Sequence, residues 1–270
     1  MNQLLRKWPK SVLIGLGAVA LSTLGIQASD YVSGVSGQLA SSITGSNSVC
    51  GNGAELIMYG SHSVCMDVFE ASPSQGCTYA ATKSEVETQV NVSKDSCTAV
   101  SEADKDPWRF VTYTEASQLC ARSGKRLPTA EEWYKVALGH GDTAACFTTA
   151  LAKTGANNCV TPTGVHDVVG NVWEWTADTV TDGKHNETEL PASGYVTLVD
   201  GAGLVLQTSE EPNGQFGEDY AWIDKSGVRG LLRGGFYGSG TDGGVFAQNM
   251  AVPLNFAATG VGFRCVKDVW

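Results

Sequence analysis

Eight cysteines, Cys50, Cys65, Cys77, Cys97, Cys120, Cys146, Cys159 and Cys265, all lie beyond residue 49, and an even number is what an oxidised framework requires. No CxxC pair occurs and no cysteine has a histidine at zinc-finger spacing, so disulfides are favoured over structural zinc. Sequence neighbours suggest Cys50 with Cys65, Cys77 with Cys97 and Cys146 with Cys159, which would leave Cys120 for Cys265. Spacing alone leaves the connectivity open, because eight cysteines can pair in many ways. A cross-linked chain with 32 glycines in 270 residues is built of tight turns and irregular loops, not of a helical bundle. A loop-rich α+β or all-β domain is expected.

Arg6, Lys7 and Lys10 precede an apolar run from Val12 to Ala28, the order of a secretory signal. Residues 1–28 are therefore expected to be a signal peptide or an N-terminal membrane anchor, and residues 29–49 a Gly/Ser-rich linker. The chain would then be secreted or attached to the cell surface, with residues 50–270 forming the folded domain. Eighteen basic against 28 acidic residues leave a net charge of -10, the wrong sign for neutralising phosphates, so no nucleic-acid partner is expected.

Two capping boxes mark two short helices. Thr112 with Glu115 starts one that carries Ala116, Leu119 and Cys120 and stops near Gly124; Thr129 with Glu132 starts one that carries Trp133, Val136 and Ala137 and stops at Gly139. Alternating apolar residues over Tyr195–Val199 and Leu204–Gln207, with Asp200 and Gly201 between them, predict a hairpin. That hairpin lies in a segment, 181–230, too long for an ordinary loop, which reads as a functional or decorative insert outside the core.

Four phrases follow in order: GKRLPTAEEW at Gly124–Trp133, GVHDVVGNVWEWT at Gly164–Thr176, LRGGFY at Leu232–Tyr237 and GFRCV at Gly262–Val266. Together they resemble the formylglycine-generating enzyme, or sulfatase-modifying factor, family, and CMDVFEA at Cys65–Ala71 looks like that family's opening strand. The resemblance runs over Cys50–Trp270, the insert excepted. It implies an α+β, C-type lectin-like fold with two short helices, small antiparallel sheets and long loops, stapled by disulfides. It also implies the Cys120–Cys265 pair.

The family's oxidase chemistry uses two cysteines that bind copper after the RGG motif, since Cu(I) selects soft thiolates. The aligned residues here are Ser239 and Gly244, so no copper is expected and no catalytic residue is assigned. His62, His140, His166 and His185 show no metal-ligand spacing, and Glu131 and Glu132 read first as acids of a helix's opening turn. The resemblance does imply a calcium site made by Val169, Gly170, Val172 and the carboxylate of Glu174, hard oxygen donors on a tight turn. The competing reading makes Glu174 a partly buried acid paired with an arginine such as Arg233. Trp173 and Trp175 read as core.

Between LRGG and GFRC the chain is rich in small and polar residues, and the phrase LRGGFYGSGTDGGVFA resembles the C-terminal variable region of proteins diversified by retroelements. Gly238, Ser239, Thr241, Asp242, Asn249, Asn255, Phe256, Ala257, Ala258 and Thr259 are all reachable by replacing adenines in an asparagine codon. The candidate ligand-binding residues are Phe236, Tyr237, Gly238, Ser239, Thr241, Asp242, Gln248, Asn249, Asn255, Phe256 and Thr259. The aromatics would give contact area at low entropy cost and the polar residues adaptable hydrogen bonds. The expected function is display of a recognition surface to an extracellular protein or surface ligand. The alternatives are an enzyme of the same family with altered chemistry and a disulfide-stapled structural envelope protein.

Overall fold

The computed structural model describes residues 49–140 and 144–269. The expected signal or anchor and nearly all of the linker lie outside the described residues.

Fourteen strands and three α-helices follow one another among them. The chain opens with β1 (Ala54–Tyr59), β2 (His62–Asp67) and β3 (Ser72–Pro73), then α1 (Glu85–Val92), β4 (Ala99–Val100), α2 (Tyr113–Arg122) and α3 (Ala130–Ala137). The remainder is β5 (Trp173–Thr181), β6 (Lys184–His185), β7 (Thr188–Glu189), β8 (Gly194–Val199), β9 (Val205–Ser209), β10 (Tyr220–Ile223), β11 (Val228–Arg233), β12 (Gln248–Met250), β13 (Val261–Phe263) and β14 (Val266–Asp268).

Both predicted helices form where the capping boxes place them. Thr112 Oγ1 accepts from the Glu115 amide at 3.3 Å while Glu115 accepts from the Thr112 amide at 2.9 Å; Thr129 and Glu132 repeat the exchange at 3.1 and 2.8 Å. Each pair satisfies donors that the first helical turn leaves unpaired. Helix α1 is additional to the two expected. Its start has the same spacing, Ser84 Oγ accepting from the Glu87 amide, but it buries Thr88 and Asn91 where an amphipathic helix would bury apolar residues. Asn91 accepts from the Thr78 and Tyr79 amides and donates to the Tyr79 carbonyl, so polar contacts hold this helix and no apolar stripe announces it.

Strands β1, β2 and β14 form a three-stranded antiparallel sheet, so the last strand closes against the first two. Beyond the small antiparallel sheets expected there is a nine-stranded mixed sheet in the order β7-β6-β5-β11-β12-β10-β8-β9, with β13 parallel to β5. The predicted hairpin is the β8–β9 pair, with Tyr195 opposite Ser209 and Val199 opposite Val205.

The segment 181–230 is not decoration. It supplies β6 to β10, β10 pairs in parallel with β12, and Val196, Val205 and Ala221 are fully buried in a core with Val180, Leu231 and Met250. A second core gathers Trp108, Trp175, Leu232 and Phe263, and a third Met66, Trp133, Val168 and Val169. All four suggested disulfides are formed: Cys50–Cys65, Cys77–Cys97, Cys146–Cys159 and Cys120–Cys265.

Candidate functional site

The strands β5, β11 and β13 carry the motif residues into the interior. Glu174 on β5 is fully buried, and Arg264, directly after β13, donates from Nε to Glu174 Oε2 at 2.7 Å and from Nη2 to Oε1. Trp133 Nε1 adds a third bond to Oε2 at 2.8 Å. The partner of Glu174 is therefore Arg264, not Arg233. Arg264 also donates to the carbonyls of Asp67 and His166, which ties β2, β5 and the segment after β13 to one guanidinium.

This arrangement tests the calcium set directly. Val169, Gly170, Val172 and Glu174 do share one turn and strand start, but the carboxylate is turned inward and both of its oxygens are taken by charge-assisted bonds. A divalent cation there would sit against a buried guanidinium, so the residues do not fit calcium. The copper positions fail on donor chemistry. Ser239 Oγ accepts from the Phe236 amide at 3.0 Å and closes a local turn, and every cysteine is in a disulfide. At Gly244 even a β-carbon would lie 2.1 Å from an oxygen of Asp219, a buried acid of the insert. The insert thus occupies the space that a side chain at position 244 would need.

Two further buried acids surround Arg264. Burial, with the nearby charges of Asp167 and Glu174, holds the Glu70 carboxyl well above the usual carboxylate range. Burial likewise raises Asp167 to about 6, although its carboxylate accepts from the Gly155 amide at 2.6 Å. A carboxyl whose pKa is raised on folding adds stability that is complete below its unfolded pKa and is lost as pH rises through the folded value. Asp167→Asn keeps the acceptor, and asparagine tolerates the positive φ of 55° found there. Urea unfolding should show wild type losing roughly 3 kcal/mol relative to that variant between about pH 4 and pH 7. A pH-independent difference would remove the shift from Asp167.

The candidate ligand-binding residues divide into a frame and a surface. Gly238, Thr241, Asn255 and Thr259 are exposed, and Phe236, Tyr237, Ser239, Asp242, Asn249 and Phe256 are half-buried. Phe236 and Phe256 pack against the core that contains Trp108 and Phe263, so they anchor the loops more than they face solvent. Tyr237 takes its position from the VGN turn, its amide donating to the Asn171 carbonyl at 3.0 Å; its hydroxyl lies 3.5 Å from Thr259 Oγ1, which also accepts from Arg109 Nη1 at 3.2 Å. Gln248 does not belong to the surface. It is fully buried and its amide donates to the Gly203 carbonyl at 3.0 Å and the Phe246 carbonyl at 3.3 Å, fastening the β8–β9 turn to the frame.

An aromatic row beside these loops was not expected. Tyr195 on β8 meets Tyr220 on β10 edge to face at 5.1 Å between ring centroids, Tyr220 meets Trp222 at 4.9 Å, and Trp222 meets Trp173 at 5.5 Å. Tyr195 lies close enough to Asp242 for that charge to raise its pKa, and Trp222 is paired in register with Asn249. The insert and the C-terminal loops therefore share one face. The alternation of Tyr195, and of Tyr220 with Trp222, was the only signal for this in the sequence.

Comparison with known proteins bears on the same segment. Residues 142–269 match the family model of the sulfatase-modifying factor enzyme 1-like domain. That segment, a little under half of the chain, is similar to a sulfatase-modifying factor enzyme 1-like domain. The match includes the insert and begins after α3, a shorter span than the resemblance over Cys50–Trp270. The α+β, loop-rich, disulfide-stapled class expected of this domain is the one found.

Two relatives named "Inactive C-alpha-formylglycine-generating enzyme 2", from Mus musculus and Bos taurus, are each 28% identical over 122 residues, covering 36% of this chain and 40% of theirs. The chain thus spans about 40% of the length of the curated relatives it matches. Similar solved structures include the Major Tropism Determinant P3c variant at 15% identity and TM-score 0.45, over 82% of this chain and 54% of that one. Treponema denticola variable protein 1 aligns at 15% identity and TM-score 0.41, over 79% and 98%. PvdO from Pseudomonas aeruginosa aligns at 14% identity and TM-score 0.43, over 83% and 88%. The four disulfides befit an extracellular or lumenal protein, and no helix among the described residues is long and apolar enough to cross a membrane.

Proposed function

We propose that the chain is an exported binding protein that displays a recognition surface, made by the loops 236–242 and 253–259 together with the aromatic row Tyr195, Tyr220 and Trp222. The observation that carries this reading is the division of labour just described. Buried residues such as Gln248 and Val245 hold the loops in place, while Thr241, Asn255 and Thr259 are exposed, Thr259 meeting Arg109 and Tyr237. A surface of this kind can change its side chains without changing its frame. The likeness of LRGGFYGSGTDGGVFA to diversified regions extends the proposal: the loop residues are rewritten by a retroelement. The ligand is an extracellular protein or surface group.

Randomising Thr241, Asn255, Ala257 and Thr259 together should leave most variants within about 0.5 kcal/mol of wild type, as expected for surface positions. Broad loss of folding across such a library would show that the loops are structural and sink the display reading. The diversification is tested at the gene: a neighbouring reverse transcriptase and a template repeat that differs from the coding repeat only at adenines are expected, and a locus without them removes it. Against the enzymatic alternative, purified protein given copper and a CxPxR peptide should form no formylglycine. Turnover would overturn the proposal.

A further inference from the structure

Among the described residues two arginines, Arg233 and Arg264, are fully buried, and they are treated differently. Arg264 has its guanidinium saturated by Glu174 and by main-chain carbonyls. Arg233, at the end of β11, donates from Nη2 to the Gly203 carbonyl at 2.8 Å, while its Nε and Nη1 find no hydrogen-bond partner among the described residues. Its guanidinium carbon lies 5.8 Å from the Trp133 ring centroid and 5.7 Å from that of Tyr134. These ring faces favour a cation but accept none of its protons in a directed bond. Burial lowers the Arg233 pKa to about 10, which still leaves it charged at neutral pH. A buried charge with unmade hydrogen bonds is costly, and such a group is retained where something completes it.

Arg233 forms part of the wall of a cavity of about 300 Å³, at the lower end of the range for small-molecule sites. Around it stand Asp178, His185, Asn186, Thr188, Asp200 and Ala202, contributed by β5, the β6–β7 turn and the β8–β9 turn. The walls are fixed. His185 Nε2 lies 2.8 Å from Asp178 Oδ1, and Asp178 Oδ2 accepts from the Ala130 amide at 2.6 Å, which occupies the N-terminus of α3. Asp200 Oδ1 accepts from the amides of Ala202 and Leu204, both at 2.9 Å. At Gly203, φ is +76° and an added β-carbon would fall 2.3 Å from the Tyr134 ring, so the β8–β9 turn is pressed on to α3 and cannot drift from Arg233.

One buried cation with open donors selects an anion, and the acids nearby restrict its charge. A dianion such as phosphate or sulfate would be repelled by Asp178 and Asp200, whereas a single carboxylate carrying an amine or hydroxyl meets charge of the right sign at both ends. We propose that this cavity binds a small monocarboxylate that also bears a hydrogen-bond donor, an α-amino acid or hydroxy acid in chemical class, with its carboxylate on the open guanidinium donors of Arg233 and its donor group toward Asp178 and Asp200. The site is separate from the recognition loops and does not depend on them.

Thermal unfolding and calorimetric titration with L-serine, acetate and sulfate at matched ionic strength test the assignment. L-serine should raise the midpoint saturably in the millimolar range or below, acetate should bind about tenfold more weakly, and sulfate should show no saturable effect. Ala202→Trp fills the cavity from its half-buried wall without touching Arg233; it should keep the ligand-free midpoint and lose the L-serine response. Arg233→Met should lose it as well, and if that variant does not fold, Ala202→Trp still decides. No saturable response to L-serine or acetate, saturable sulfate binding as tight as that of L-serine, or a response that survives Ala202→Trp would each overturn the proposal.

Discussion

Replacing Glu174 by alanine should destabilise the fold by about 3–5 kcal/mol, because it strands the Arg264 guanidinium in the interior with its charge uncompensated. Both residues are fully buried, and Arg264 joins β2, β5 and the segment after β13 through one planar group. The loss falls on several elements at once. Nearby Glu70 and Asp167 do not substitute, since Glu70 is engaged by Asn171 and the Val172 amide, Asp167 by the Gly155 amide, and burial holds the Glu70 carboxyl well above the usual carboxylate range. Glu174→Gln, which keeps the shape and one acceptor, should cost less than the alanine. The double change Glu174→Gln with Arg264→Met should recover part of the loss, as replacing a buried ion pair by apolar groups often does. Urea unfolding midpoints at neutral pH check all three. A loss below about 1 kcal/mol for Glu174→Ala would mean that water reaches the guanidinium and that the pair is not the keystone proposed.

The second large effect is expected at Cys120–Cys265. The two cysteines are separated by 145 residues and are fully buried, so the bond joins α2 to the strand end beyond β13 across most of the domain. On the chain-entropy account, closing a loop of this length stabilises by about 4–5 kcal/mol, against about 3 kcal/mol for one the length of Cys146–Cys159, whose separation is 13. Cys120→Ala with Cys265→Ala should therefore lower stability more than Cys146→Ala with Cys159→Ala. Denaturant titration of both double variants gives the comparison. The opposite order would place the stabilisation in the folded state rather than in the unfolded ensemble.

Where the physics is local, the sequence carries its signal. The capping boxes at Thr112 and Thr129 act within one helical turn, and Asp200 bends the β8–β9 turn by accepting from the amides of Ala202 and Leu204. Helix α1 escaped because Thr88 and Asn91 are buried through hydrogen bonds, which hydrophobic periodicity does not register. The insert was placed outside the core because length, not partner, was the only guide to it. Val196, Val205 and Ala221 become core residues only when β10 pairs with β12, 27 positions away at Ala221 and Gln248.

The same divide separates the candidate sites. Gln248 lies in a loop-like phrase rich in small and polar residues, but its amide turns inward to Gly203, and nothing within that phrase could reveal a partner 45 positions distant. Glu174 looked like a ligand or the partner of Arg233; which arginine it meets depends on β13 lying parallel to β5, a long-range choice. By itself, the sequence determined the oxidised framework, the two capped helices, the hairpin and the absence of any cysteine between the RGG motif and Cys265, because each depends on residue type and short spacing. Only the tertiary structure decided which buried charge is satisfied, that Asp219 closes over Gly244, and that Arg233 keeps open donors beside a cavity. Those outcomes depend on which distant strands become neighbours, and burial acquires its electrostatic cost only after they have met.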